Sequence, residues 1–155
     1  MRGYLGDPPR RPGEEWATGD LGEIDADGYV HVRGRLGNMY ITSFGRNVAP
    51  EWVEREIAIE PCIRHVMVHG ETRPHAVAIV SASRDAADAA AIDRAIGAAN
   101  ERLPEYAQVR RWVRAPEPFS FENGLLTSNG RLRRSAIVER HGALLDALYR
   151  EAIAS

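Results

Sequence analysis

Two charged positions near the start of this sequence stand where side-chain chemistry would need them. Asp20 closes the turn Thr18-Gly19-Asp20 just ahead of a hairpin, and its two carboxylate oxygens suit a pair of vicinal hydroxyls. An isolated Thr-Gly-Asp serves equally well as a plain Asx turn, so its neighbours must decide between the two. Arg35 leaves the same hairpin in the dipeptide Gly34-Arg35, and its planar fork fits phosphate oxygens; as an ordinary strand charge it would simply be solvated. Other groupings carry less. His65 and His69 fall on one predicted strand about 13 Å apart, at roughly 3.3 Å per residue, too far to share one zinc ion. Glu51, Glu54 and Glu56 read as the first turn and solvated face of a helix. Arg110, Arg111 and Arg114 could form a basic edge, but only Trp112 is interleaved with them, which is thin support for stacking on nucleic acid.

The composition bounds what these residues can belong to. The chain has 155 residues, 44% hydrophobic and 27% charged, the profile of a globular domain with a real core. Twenty basic against 22 acidic residues leave a formal net charge of -2, so no uniform positive field draws the molecule to nucleic acid or an anionic membrane. The single cysteine, Cys62, excludes an intramolecular disulfide framework and a thiolate zinc cage; it reads as a buried apolar side chain in a reducing cytoplasm. No apolar stretch approaches the roughly 20 residues that span a bilayer, and no export signal is expected. Every one of the 20 basic residues is arginine. The richness in alanine, arginine, glycine and proline accounts for this as coding bias, yet chemistry that needs a lysine amine is excluded from this chain either way.

The elements that must position Asp20 and Arg35 follow from local pattern. Met1 to Trp16 is dense in glycine and proline and reads as a surface loop or extended arm. Gly22 to Asp25, the Ala26-Asp27-Gly28 turn and Tyr29 to Val32 form a hairpin. A strand over Met39 to Thr42 leads into the turn Phe44-Gly45-Arg46-Asn47, whose Gly and Asn tolerate positive φ. Pro50 suits the first turn of a helix with Trp52, Val53 and Ile57 on its apolar face. Val66 to Val68 and Ala76 to Val80 read as antiparallel central strands, and Val109 to Val113 as a third. The alanine-rich stretch from Asp85 to Leu103, stopped by Pro104, and the stretch from Arg134 to Ile153 read as helices, the latter weakened at Gly142. The fold class is α+β: a hairpin, then a small three-stranded antiparallel sheet packed with helices.

Beyond this, the residue strings carry more than the periodicity does. Trp16-Ala17-Thr18-Gly19-Asp20, the hairpin Asp25-Ala26-Asp27-Gly28-Tyr29 and Gly34-Arg35 occur in the order and spacing of the linked motifs near the end of acyl-adenylate-forming enzymes. The stretch Ile41 to Glu51 resembles the segment after the hinge of long-chain acyl-CoA synthetases. Gly124-Leu125-Leu126-Thr127-Ser128-Asn129-Gly130-Arg131-Leu132-Arg133-Arg134 resembles their final catalytic loop. The resemblance covers nearly the whole chain and lacks the large N-terminal portion of that family.

This resemblance implies a division into residues 1–36, a loop and hairpin remnant of the synthetase body, and residues 37–155, a mobile C-terminal lid. It implies that Asp20 binds the ribose of ATP, with Thr18 and Arg35 also at the nucleotide, and that the lid turns about Gly37. Gly45 and Arg46 would line the passage for the pantetheine arm of coenzyme A. Arg131 would be the catalytic cation, at a position where relatives carry lysine. Arg133 and Arg134 read as the solvated start of the last helix, with contact to a coenzyme A phosphate as the alternative. The whole enzyme would join a carboxylic acid to AMP from ATP, with Mg2+ carried by ATP, and then pass the acyl group to coenzyme A. The isolated chain would need a synthetase N-terminal body as partner. The alternative is a non-catalytic regulatory or assembly module, with arginine in place of lysine marking lost chemistry.

Overall fold

The computed structural model describes residues 17–83 and 88–150. The Met1 to Trp16 arm, the start of the alanine-rich helix at Asp85 and the end of the last helix beyond Arg150 therefore lie outside the described residues. The hairpin is as expected: β1 (Asp20–Ile24) pairs antiparallel with β2 (Val30–Arg35), with Asp20 opposite Arg35. Asp25 organises its turn. One carboxylate oxygen accepts from the Asp27 and Tyr29 amides at 3.0 and 2.9 Å, and the other meets His31 Nε2 at 2.6 Å.

A single 3-10 turn, Leu36–Asn38, joins this hairpin to the rest. It is followed by a small second hairpin of β3 (Tyr40–Ile41) and β4 (Asn47–Val48), closed by Gly45 at φ +73°, where a side chain would be strained. Asn47 contributes to β4 and needs no positive φ. Helix α1 (Pro50–Ile57) opens on Pro50, whose missing N–H costs nothing at a first turn.

The main sheet is β5 (Ile63–His69), β6 (Ala76–Ala82) and β7 (Val109–Arg114), with β6 in the centre. β5 and β6 are antiparallel, as the sequence indicated, but β7 joins β6 in parallel, so the expected all-antiparallel sheet is corrected. The cause is the intervening helix α2 (Ala89–Arg102), which carries the chain back along the sheet so that β7 starts from the same end as β6. Asp88 caps that helix by accepting from the Ala90 amide at 3.0 Å.

Both faces of β6 are covered, which is why its sequence runs unbroken through Ala76-Val77-Ala78-Ile79-Val80 without the alternation of a half-exposed strand. Ala76, Ala78 and Val80 pack with Val53, Ile57, Ile92, Ala95, Ile96 and Ala99 from α1 and α2. Val77 and Ile79 face the other way, onto Phe119, Leu125 and the Ile137, Leu145, Leu148 stripe of α3 (Arg134–Arg150). Gly142 does not interrupt α3. Cys62 is half-buried, and its Sγ lies 3.7 Å from the Ala91 carbonyl.

Four histidines are packed into or against this core. Burial holds His65, His69, His75 and His141 below the ordinary imidazole value of 6.5. His65 Nδ1, His75 Nε2 and His141 Nε2 are covered and lack hydrogen-bond partners. The unfolded chain therefore takes up more protons than the folded one once the pH drops below 6.5, and folding stability present above that value is lost as pH falls through the depressed folded values. Thermal unfolding should show a melting temperature that falls between pH 7.5 and pH 5.5, with a shallower slope in His141→Leu. A flat profile would remove this account.

Candidate nucleotide-facing cleft

The hairpin, the Leu36–Asn38 turn, α1 and the loop before α3 surround an open cleft of about 1130 Å³. Asp20, Arg35, Gly37 and Arg131, predicted from distant parts of the sequence, all line it. Pairing across β1 and β2 places Asp20 beside Arg35, whose Nε donates to Asp20 Oδ1 at 2.7 Å. Arg35 Nη1 donates to the Thr18 carbonyl at 3.2 Å, and Thr18 Oγ1 accepts from the Asp20 amide at 3.2 Å. The three residues thus form one exposed, hydrogen-bonded group in which carboxylate oxygens adjoin a guanidinium.

Arg131 reaches the cleft from a tight loop built on Thr127. The Thr127 amide donates to the Arg131 carbonyl at 2.8 Å, and the Arg131 amide returns a bond to Thr127 Oγ1 at 3.0 Å. Thr127 Oγ1 also bonds Asn129 Oδ1. A bridge between Leu126 and Leu132 pins the base of the loop. This leaves the Arg131 side chain exposed, with no hydrogen-bond or ion-pair partner among the described residues. A fixed backbone carrying an uncommitted cation is suited to an anionic ligand.

The floor of the cleft corrects two readings of the sequence. Glu54, taken for part of a solvated helical face, is buried at 8% exposure, and Arg134, taken for a solvated helix start, pairs with it. Glu54 also accepts from the Val68 amide at 2.7 Å, while Arg134 Nη1 lies 3.4 Å from the Val68 carbonyl. The pair therefore satisfies both outward backbone groups of Val68 on the open side of β5. Burial pushes the Glu54 carboxyl above the ordinary range, against the opposing pull of Arg134 and the Val68 amide. Glu51 joins from the next turn: Oε1 accepts from Asn38 Nδ2 and lies 3.9 Å from Arg134 Nε. A signal for this was present in the sequence, since Glu54 sits on the same helical stripe as Pro50, Val53 and Ile57.

The remaining predicted positions are less tied to the cleft. Gly37 lines it, but its φ is not positive and a Cβ there would meet nothing within 4 Å, so this conformation does not itself require glycine. Gly45 and Arg46 do not line it. Arg46 lies over the Tyr106 ring at 5.9 Å, beside exposed Phe44. His65 and His69 share a strand as expected. Among the described residues no group of three or more His, Cys, Asp or Glu is placed to hold a metal ion, and no helix is long and apolar enough to cross a membrane.

Comparison with known proteins agrees with the motifs. A long-chain-fatty-acid–CoA ligase of Mycobacterium tuberculosis is 26% identical over 155 aligned positions, covering 85% of this chain and 26% of that protein. A carboxylic acid reductase of Segniliparus rugosus is 30% identical over 146 positions, covering 86% of this chain and 12% of that protein. Among solved structures, the A domain of the Segniliparus rugosus carboxylic acid reductase, in complex with AMP and a co-purified carboxylic acid, superposes with a TM-score of 0.75 at 27% identity, over 87% of this chain and 23% of that one. The adenylation domain of a Mycobacterium chelonae carboxylate reductase gives a TM-score of 0.75 at 26% identity, over 87% of this chain and 23% of that one. The chain thus spans about a quarter or less of these relatives. Residues 38–153 match the family described as AMP-binding enzyme C-terminal domain, and the chain belongs to that family.

Proposed function

We propose that this chain is the C-terminal part of an AMP-forming acyl-CoA synthetase, in which Asp20, Thr18 and Arg35 hold the nucleotide and Arg131 stabilises the transition state for acyl adenylate formation. The single observation that carries this is the convergence of Asp20, Arg35 and Arg131 on one cleft, although 95 residues of sequence lie between the second and the third. Asp20 would accept from the ribose hydroxyls and Arg35 would donate to phosphate. Arg131 faces them with a charge suited to the oxygens on which negative charge accumulates as carboxylate and α-phosphate join. Mg2+ would arrive on the ATP phosphates. In a second orientation, reached by turning about Gly37, the Gly45-Arg46 turn would replace the Arg131 loop and line the coenzyme A passage.

The proposed partner is a synthetase N-terminal body supplying the triphosphate loop and acyl pocket. The hairpin supports this. Among the described residues β1 and β2 form a two-stranded sheet with no further strand on either edge, and Ile24, Val30 and Val32 on one face are 72%, 68% and 52% exposed. Such a hairpin is marginal in water and gains by docking on a larger sheet or core. On this reading residues 1–36 belong with the body and residues 37–155 form the lid.

The test is ATP–pyrophosphate exchange with fatty and aryl acids, run with this chain alone and after adding a synthetase N-terminal body. No exchange alone and exchange on mixing is the expected result; exchange by the isolated chain would overturn the need for a body. In the mixture Asp20→Asn should raise the KM for ATP about tenfold or more, the scale of one lost charge-assisted hydrogen bond. The second reading, a non-catalytic regulatory or assembly module, is favoured by one observation, arginine in place of lysine at position 131. It predicts nucleotide binding without exchange under every pairing.

A further inference from the structure

Asp20 and Arg131 line one cleft, and α1 and β2 meet at its wall. Arg55 Nη1 donates to the Val32 carbonyl at 3.3 Å. One turn earlier, Glu51 and Ala49 press directly on the backbone of Gly34. A Cβ built at Gly34 would stand 2.8 Å from Glu51 Oε2 and 3.1 Å from the Ala49 methyl. An added methyl would have to displace the Glu51 carboxylate, whose Oε1 is held by Asn38, and press on the Ala49 methyl, so glycine lets α1 seat this closely without a shift. Gly34 has no positive φ, and so it is the approach and not a turn that requires it. Glu51 Oε2 is covered at this point and lacks a hydrogen-bond partner, whereas Oε1 is held by Asn38.

We propose that Gly34, Glu51 and Arg55 are positioning residues: the seat of α1 on β2 holds the Arg131 loop across the cleft from Asp20 and Arg35. This rests on the reading that those three residues act in one site. The connection runs through Arg134, which lies 3.9 Å from Glu51, pairs with Glu54 on the same helix and begins α3 three residues after Arg131. The hairpin is otherwise linked in sequence to the lid only through the Leu36–Asn38 turn. The uncovered need of Glu51 Oε2 sets the depth of the seat. A carboxylate oxygen deprived of both water and a donor disfavours the seated state, and lifting α1 from β2 returns it to solvent. The seat is thus close-fitting yet easily parted, as an element that must take two orientations requires.

The experiment measures spin-label distances in the full chain, in a Cys62→Ser background. One pair, Asp27→Cys with Glu101→Cys, spans hairpin and lid; the other, Glu101→Cys with Glu139→Cys, lies within the lid. Introducing Gly34→Ala should shift the seated-to-lifted ratio about tenfold toward lifted, the scale of an overpacked contact, and so broaden the first distribution while sparing the second. No change in the first pair overturns the proposal. If both pairs change, Arg55→Met decides, because it adds no atoms beneath α1: broadening of the first pair alone supports the seat, and no change overturns it. These distances are read without nucleotide or body, so they test the seat even if the chain takes no part in adenylation. In the enzyme reconstituted with a body, Gly34→Ala should lower pyrophosphate exchange about tenfold, with transfer of preformed acyl adenylate to coenzyme A falling less. Equal loss of both steps overturns the positioning role.

Discussion

Arg131→Ala should lower pyrophosphate exchange by about 10²- to 10³-fold in the reconstituted enzyme, the range for removing one preorganised donor at a developing anion. The loss should fall on kcat, because an interaction made mainly in the transition state affects KM little. Arg131→Lys is the sharper comparison. Relatives carry lysine here by resemblance, but a compact ammonium and a planar fork differ in reach and geometry. The surrounding loop is intact, with Thr127 bonded to the backbone of Arg131 from both sides. A site adapted to arginine therefore predicts that Arg131→Lys leaves exchange unchanged or reduces it. A rise would show arginine to be a compromised substitute.

The second large effect concerns stability. Arg134→Ala leaves Glu54 buried without its counter-charge, and breaking a buried pair from one side costs about 3–5 kcal/mol. Urea denaturation should show the midpoint falling accordingly, with the m-value unchanged. Replacing both partners, as in Glu54→Leu with Arg134→Leu, should recover only part of the loss. The charge is then gone, but the Val68 amide has lost its acceptor, an omission worth about 1–3 kcal/mol. Full recovery by the double substitution would mean that water or a shifted backbone serves Val68 instead.

What could be read from the sequence divides along physical lines. β6 and α2 were legible because burial on two faces, or on one helical stripe, writes itself into consecutive residues. The hairpin was legible because its turn depends on residues within a few positions of Asp25. The direction of β7 was not, since strand propensity says nothing about which end of the sheet the chain returns to after α2. Asp20, Arg35 and Arg131 were found through motif strings, and the cleft brings them together. Glu54 and Arg134 were misread because the partner that permits the burial of each is 80 residues away; the α1 stripe marks Glu54 as facing inward but does not name that partner. Local spacing holds no record of such a pair. The role of Gly34 was equally hidden, because its reason lies in Glu51 and Ala49 approaching from another element.

The Glu54–Arg134 pair has one more consequence. β5 is an outer strand of its sheet, and an outer strand with free amide and carbonyl groups is a template on which another chain can add a strand. At Val68 both groups are occupied by side chains, so that position is closed to recruitment. Separating the pair would therefore do more than lower stability: it would open a β-rich segment, Val66-Met67-Val68, to edge-to-edge association. The ion pair beneath the cleft thus also closes one position of that outer edge to strand addition.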